Sequence, residues 1–534
     1  MITPQNRLEI NVNDGVSVSA PKDLIAAALD LPNRIAQSLR AGRFFWTIEF
    51  VAASVPVLRE DLVIIDAFVR ALAGRPEIAG FSVTDRVHSD QDPDPVTTAV
   101  HVREHSGSEP LIHWAGKDRD LEDLDATLQR MQEQRLENLL LLSGDKLKDP
   151  PADRRPRYLE SVPAIRAARQ AMPDLIIAAA LNPFKYREEE AMAQYLKLGK
   201  KVAAGADFIV TQIGFDINKF EEALFWMDTR GYRVPMVANV MALSARRARY
   251  IRRNPLAGVT ITDSYHRLLE EEERLMPERA QARVTRRLAL QILGLRMLGY
   301  SGVQLTAIHS LETLVTLLHQ IDYLADRCPD RMSWNKAWAE ALSLPNGVRA
   351  DPVPEAPWYM VDRHVRHAPR RDVIKYVVME KAHRVLFEKG AGARFLGGLV
   401  RGIRRQSWAD RWLERFEWII KSPLFGCESC GLCRLAATQY VCPETCPKGL
   451  ANGACGGTHM NRCEFEDREC IHSQKYRIAK DAGILEQLER WLIPAVPKAI
   501  RHTSSWPPHF RGEGPAIVMV DMSGYGGRGG TEKV

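Results

Sequence analysis

The sequence predicts an α/β protein, a (β/α)8 TIM barrel followed by a cysteine-rich, metal-binding C-terminal domain of helical and irregular structure. Eight short apolar, β-branched runs recur between residues 44 and 308, most of them separated by segments with helical periodicity. Strands alternating with helices need crossover connections and therefore form a parallel sheet, and a span of roughly 280 residues suits eight βα units. Beyond that span the chain changes character: eight of its nine cysteines crowd between Cys427 and Cys470. In a long chain without a secretion signal, such crowding indicates metal ligation before disulfides.

Residues 1–43 hold one amphipathic segment (DLIAAALDLPNRIAQSLR) and read as an N-terminal cap segment. The barrel is assigned to 44–343, with strands in FFWTIEFV at 44, GFSVTD at 80, LIHWAG at 111, NLLLLSGD at 138, LIIAAAL at 175, DFIVTQIGF at 207, PMVANVM at 235 and GVQLTAI at 302. Leu62, Val69 and Leu72, then Leu121, Leu128 and Met131, then Tyr195, Leu198 and Val202 give the intervening helices their apolar stripes. A doubly wound open sheet would show the same alternation, and the eighth run is what favours closure. The charged stretch EEEERLMPERAQARVTRR before that run reads as a solvated face. Pro-rich residues 344–358 form a linker that should separate two cores. Residues 359–500 form the helical and cysteine-rich domain, and 501–534 a tail whose Gly-rich end has no strong structural preference.

At 534 residues, with 45% hydrophobic and 26% charged side chains, the chain is long enough for two or more cores. Its net charge of +6 is not the concentrated basic footprint of a nucleic-acid binder. The chain holds no run of about 18 apolar residues and no basic segment followed by an apolar one at its start, so membrane insertion is not expected and the location is expected to be cytoplasmic.

In a barrel of this kind chemistry collects where strands end. Glu49, Thr84, Asp85, His113, Gly144, Asp145, Gln212 and Asp216 lie within or just after the strand runs. Glu49 is flanked by Phe44, Phe45, Trp46, Ile48, Phe50 and Val51. A carboxyl in such surroundings either pairs with a basic residue inside the barrel or carries a raised pKa suited to general-acid duty. Asp145 either sets a negative potential beside a cofactor or caps the following helix, and His113 is a core histidine or a ligand contact. Lys200 and Lys201 suit a diphosphate as point charges, or are exposed helix lysines. Cys328 stands alone and reads as a small buried hydrophobe.

The cysteine spacing is Cys427-x2-Cys430-x2-Cys433-x8-Cys442-x3-Cys446-x8-Cys455-x7-Cys463-x6-Cys470. Eight thiolates make two sets of four. Zinc usually takes two CxxC-like pairs, whereas three cysteines at x2, x2 suit an iron–sulfur cluster whose fourth ligand precedes a proline. Cys442-Pro443 and Cys446-Pro447 both meet that condition, although x8 replaces the usual x3.

The set T-I-E-F at 47–50, S-V-T at 82–84, His113, S-G-D at 143–145, L-K-L-G-K-K-V-A-A-G-A at 196–206 and T-Q-I-G-F-D at 211–216 resembles the methylenetetrahydrofolate reductase family over residues 44–325. The resemblance implies a flavin, FAD or alternatively FMN, and reduction of 5,10-methylenetetrahydrofolate to 5-methyltetrahydrofolate. It makes Glu49 the acid that helps open the methylene bridge and puts Asp145 beside flavin and pterin. It aligns Thr84, His113, Gly144, Asp145, Lys200 and Lys201 with flavin contacts and Gln212 with a folate contact. Ala52-Ala53, Ser143 and Ser310 depart from the family pattern. The segment from Gly426 to Thr458 resembles the family's C-terminal module, and that resemblance implies iron–sulfur or zinc there. Implied partners are the folate and an electron donor, NAD(P)H or a ferredoxin-like protein; an oligomer is compatible with all of this. Two alternatives stand beside this reading: a methyltetrahydrofolate-binding methyltransferase-type barrel, and an electron-transfer or assembly subunit without activity of its own.

Overall fold

A computed structural model of the chain describes residues 33–51, 65–69, 75, 77–87, 89–90, 92–308, 310–350, 366–388, 390–513, 516–520 and 531–533. Ala52-Ala53, Leu62, Leu72, most of the N-terminal segment and much of the Pro-rich linker lie outside these residues.

Eight parallel strands close into a barrel in sequence order. They are β1 (Phe45–Phe50), β2 (Ile78–Val83), β3 (Leu111–Ala115), β4 (Asn138–Leu142), β5 (Ile176–Leu181), β6 (Phe208–Thr211), β7 (Met236–Met241) and β8 (Gly302–Thr306). Each strand is covered by helices outside and by its neighbours' side chains inside, which is why the runs are mainly apolar. Inward-facing Phe45, Leu111, Leu140, Ala178, Phe208 and Val237 pack as a separate cluster. Ile35, from the helix Arg34–Ala41, joins that cluster and closes the end where the strands begin, so the cap segment acts as a plug. The opposite end, where the strands finish, stays available for chemistry.

Two expectations about surfaces change. The charged run is split by Pro277, the first residue of the helix Pro277–Leu298, and it is not simply a solvated face. Glu272, on the helix Asp263–Leu275, is 1% exposed and pairs with Arg287 and Arg283 of the helix Pro277–Leu298, because each of these helices presents one side inward whatever its charge. In the tail, Thr531–Lys533 pairs antiparallel with Val518–Val520, which pairs in turn with Trp491–Leu492.

The expected separation into two cores also fails. Tyr476, Leu492, Val518 and Val520 belong to the same packed cluster as the barrel's outer face. Polar contacts lock the seam. Glu160, 5% exposed, accepts from Ala451 N, Asn452 N and Asn452 Nδ2 at 2.9–3.1 Å and pairs with Lys197 at 2.8 Å. Gly453 comes so near the helix Glu188–Ala204 that a Cβ there would stand 2.7 Å from Lys197 Cβ. Cys328 is 3% exposed within the main core, a small buried hydrophobe as expected.

Candidate functional site

Above the apolar plug the inward positions turn polar, and four of them form one chain. His113 Nε2 lies 2.5 Å from Ser82 Oγ, Ser82 Oγ donates to Gln304 Oε1 at 3.0 Å, and Gln304 Nε2 donates to Glu49 Oε2 at 3.3 Å. Strand register brings them together, since Ser82 is the partner of Glu49 across β1 and β2, and Gln304 the partner of Thr47 across β1 and β8. Because the serine proton goes to the glutamine, this network assigns the histidine proton to Nε2. Burial pushes His113 down to about 4, so its ring is neutral at pH 7.

Burial pushes the Glu49 carboxyl up to about 7, against hydrogen bonds from Thr306 and Gln304 that favour the charged form. No cation contributes to that value among the described residues, so the first reading of Glu49, an interior ion pair, is not what the fold builds. The side chain keeps partial access from the barrel mouth. A proton held there to about neutral pH is available to a basic atom arriving from the mouth. Gln304→Leu removes a donor that favours the carboxylate, so the Glu49 ionisation is expected to rise above about 7. The pH at which turnover declines should then move upward; an unmoved or lowered decline would contradict the hydrogen-bonded chain.

After β4 the chain turns at Gly144 with φ +82°, a region that glycine enters without strain. The turn carries Asp145 outward, 3.1 Å from Lys117 Nζ, with its side chain 55% exposed. The next helix begins at Ser161 with Glu160 at its cap position, so Asp145 does not cap it. Thr84 Oγ1 donates to Phe50 O at 3.4 Å. Gln212 is held by its loop, donating to Ala257 O at 2.8 Å and accepting from Ile213 N at 2.7 Å. Asp85 accepts from Ala115 N and pairs with Arg119, and Asp216 caps the helix Ile217–Thr229.

Lys200 and Lys201 are not brought to this mouth. They are 1% and 8% exposed, in the seam between the helix Glu188–Ala204, β5 and the cysteine module. Lys201 Nζ donates to Ala180 O, and burial pushes its pKa down to about 7. Burial and the neighbouring Lys475 push Lys200 well below its ordinary value. Neither ammonium can meet a diphosphate unless the module moves away.

The cysteines divide into two quartets. Cys427, Cys430, Cys433 and Cys442 line one cavity together with Glu417, Lys421 and Arg434. Burial, then the nearby thiols of Cys430, Cys427 and Cys433, push Cys442 up to about 12. Lys421 Nζ stands 3.6 Å from Cys433 Sγ, a cation placed to offset thiolate charge. Cys442 is thus the Cys-Pro residue that joins the x2, x2 run. Among the other four, burial, then Cys455 and Cys463, push Cys446 up to about 11, and burial, then Cys455 and Cys446, raise Cys470. Among the described residues, no three His, Cys, Asp or Glu side chains converge as a site for a single metal ion.

The second quartet abuts the barrel mouth. Gln194 Nε2 donates to Cys455 O at 2.8 Å, Lys185 Nζ to Gly456 O at 2.8 Å, and Lys448 Nζ to Gly144 O at 2.7 Å. Glu464 lies 3.5 Å from Cys455 Sγ through one oxygen, which also takes Lys448, and accepts Lys146 N through the other at 2.6 Å. A continuous polar path therefore joins these thiols to the Gly144–Asp145 turn.

The sequence matches the family described as "Methylenetetrahydrofolate reductase" over residues 34–317. The chain belongs to the methylenetetrahydrofolate reductase family. Residues 409–496 match a second family, described as "Methylene-tetrahydrofolate reductase C terminal". The chain is 30% identical over 162 residues to "Methylenetetrahydrofolate reductase 1" of Schizosaccharomyces pombe, a stretch that covers 29% of this chain and about a quarter, 26%, of that relative's length. Among solved structures it is similar to an uncharacterized protein from Clostridium thermocellum that binds two copies of 5-methyl-5,6,7,8-tetrahydrofolic acid, with a TM-score of 0.42 and 12% identity, covering 54% of this chain and 98% of that one.

In this methylenetetrahydrofolate reductase family chain, sequence reasoning missed Ser82, Gln304 and Thr306 around Glu49, and Glu160 with Asn452 at the seam. A signal existed for the first three: each is a polar residue at an inward position of an otherwise apolar strand. None existed for the seam, whose halves are 291 and 292 residues apart in sequence.

Proposed function

We propose that the chain reduces 5,10-methylenetetrahydrofolate to 5-methyltetrahydrofolate at the strand-end mouth of the barrel and receives electrons through its cysteine module. The observation that carries this is Glu49, a carboxyl kept protonated to about pH 7 by burial within reach of the mouth. In the overall change the bridging carbon gains a hydride and folate N10 gains a proton, which amounts to two electrons and two protons. Glu49 supplies the N10 proton as the bridge opens, and Gln304 fixes the carboxyl by holding Oε2. His113, neutral and bonded to Ser82, stiffens the same layer without adding charge. Gln212 marks the folate side of the mouth, while Thr84, His113, Gly144 and Asp145 line the side suited to a flavin ring.

A bound reduced flavin, FAD or FMN, would supply the hydride, and iron–sulfur clusters would supply single electrons. The polar turn at Gly144 fits the ring end of a flavin; sealed Lys200 and Lys201 do not fit a diphosphate. Four thiols around one cavity, three of them at x2, x2 spacing and the fourth followed by proline, support a cluster above a single zinc ion. Cations beside both quartets, Lys421 and Arg434 at one and Lys448 and Lys185 at the other, support an anionic group in each.

The deciding assay supplies anaerobic protein with dithionite-reduced methyl viologen and 5,10-methylenetetrahydrofolate. Formation of 5-methyltetrahydrofolate is the expected result, and its absence from protein that retains flavin would overturn the reading. Cys430→Ser is expected to empty the outer quartet only, leaving flavin content and the iron of the inner quartet in place. Iron and flavin lost together from a folded variant would contradict the division into two quartets.

A further inference from the structure

The helix Trp408–Phe425 separates two different environments. Its inner side closes the outer thiol cavity, to which it contributes Glu417 and Lys421. Its outer side exposes Trp408 at 74%, Trp412 at 70%, Phe416, Ile419, Ile420 and Leu424. Positions 408, 412, 416, 419 and 420 follow helical spacing and so share one face. Among the described residues, fourteen of the twenty-four exposed large hydrophobics fall between Ile374 and Leu424, so this is concentrated and not scattered apolar surface. The neighbouring segments are joined to the helix: Lys375 Nζ donates to Leu424 O, and Phe387 and Phe416 both contact the Trp506 ring.

Charge on this face is one-sided. Between Arg366 and Phe425 the sequence has fourteen lysines and arginines against six acids, an excess larger than that of the whole chain. The three acids of the helix are occupied on its inner side. Asp410 accepts Ser504 N at 3.2 Å, Glu417 accepts Ser504 Oγ at 2.8 Å and Ser505 N at 2.9 Å, and Glu414 takes the Ser429 hydroxyl. Arg411 and Arg415 point outward among the aromatic residues, both exposed. A second copy of this face would set arginine against arginine, so self-pairing is disfavoured. A complementary surface has to be acidic and partly apolar. Arg and Trp together are also the residues most often found as anchors in protein interfaces.

Location chooses among acidic partners. Cys433 is exposed and shares its cavity with the inner side of this helix, so whatever covers the outer face lies one helix thickness, about 10 Å, from the outer quartet. We propose that the outer face of the helix Trp408–Phe425, with Arg411 and Arg415, is the docking surface for an acidic electron-carrier protein. This rests on the reading of the cysteine module as the electron entry. Two carriers, each losing one electron and leaving oxidised, supply the two electrons of one turnover; the two protons come from water.

The test titrates an acidic two-cluster ferredoxin into the full-length protein and follows tryptophan fluorescence, a readout independent of turnover. Binding is expected, weakening as salt rises and falling at least tenfold in R411E/R415E, whose thermal midpoint should match wild type because both residues are exposed. Ferredoxin-driven turnover should show a raised KM for ferredoxin in that variant, while turnover driven by methyl viologen stays unchanged. No binding, or binding indifferent to the two substitutions, overturns the proposal. So does a wild-type dimer that Trp412→Ala dissolves, or arginine-dependent attachment to phosphatidylglycerol vesicles in place of ferredoxin. Iron and sulfide assayed in the same preparations separate the two claims: binding by a protein without clusters sinks the electron-entry reading and leaves the docking surface, whereas clusters without binding do the reverse.

Discussion

Glu49→Gln is expected to bind flavin and accept electrons as the wild type does, yet to reduce methylenetetrahydrofolate about 10²–10⁴-fold more slowly, the usual worth of a general acid. Glutamine keeps the shape of the side chain and a partner for Gln304, so the hydrogen-bonded layer survives; what is lost is the proton. The folded Glu49 pKa, about 7, is raised from 4.5 by burial, so the acid is loaded below about 7 and empties as pH rises through that value. Wild-type single-turnover folate reduction should therefore decline above about pH 7, and the variant should be slow and flat across the same range. The sign for stability follows. A raised carboxyl opposes the folded state once pH exceeds the ordinary carboxylate range, so the glutamine variant should be no less stable than wild type at pH 8. Folate reduction within about threefold of wild type would remove Glu49 from the chemistry.

Glu160→Ala is expected to cost about 3–5 kcal/mol, the typical result of taking one partner from a buried pair. The substitution strands Lys197, 2.8 Å from the lost carboxylate, and leaves the N–H groups of Ala451 and Asn452 without their acceptor. Burial alone would raise Glu160, but Lys197 and the Asn452 donors overcome it and hold the carboxyl below its usual range. Its contribution is therefore full above the ordinary carboxylate pKa and disappears only as pH falls through the lowered one. Chemical denaturation at pH 7 gives the number. A change below about 1 kcal/mol would mean that the seam does not couple barrel and module. Glu160→Gln, which keeps an acceptor but leaves the lysine uncompensated, should fall between wild type and alanine.

The barrel was legible because its signal is local and repeated. Each strand is buried on both faces, so each appears as an apolar run, and helical spacing fills the gaps. Glu49 was legible for the same reason, as a carboxyl that interrupts such a run. The cysteine spacing showed two fours but left the Cys-Pro ligand undecided between Cys442 and Cys446; only the fold places Cys442 in the outer cavity. Lys200 and Lys201 mark the limit of this kind of reading. Two cations on a helix fit an anion whether or not anything else covers that helix, and here the module covers it. Glu272 repeats the lesson, since a charge run shows its composition and not which residues of it face inward. Proline breaks local structure, so the linker predicts a division into two cores; whether the flanking parts then pack on each other depends on contacts nearly three hundred residues apart.

The central claim is that one chain joins a flavin-binding reductase barrel to a cysteine module holding two electron-carrying centres. Quantifying flavin, iron, acid-labile sulfide and zinc in a single anaerobic preparation tests it most directly. About one flavin per chain, with iron and sulfide sufficient for two clusters and broad absorbance near 400 nm beyond that of flavin, is the expected composition. Stoichiometric zinc without sulfide would contradict it, leaving a module that clamps the C-terminal domain to the barrel and NAD(P)H as the source of electrons.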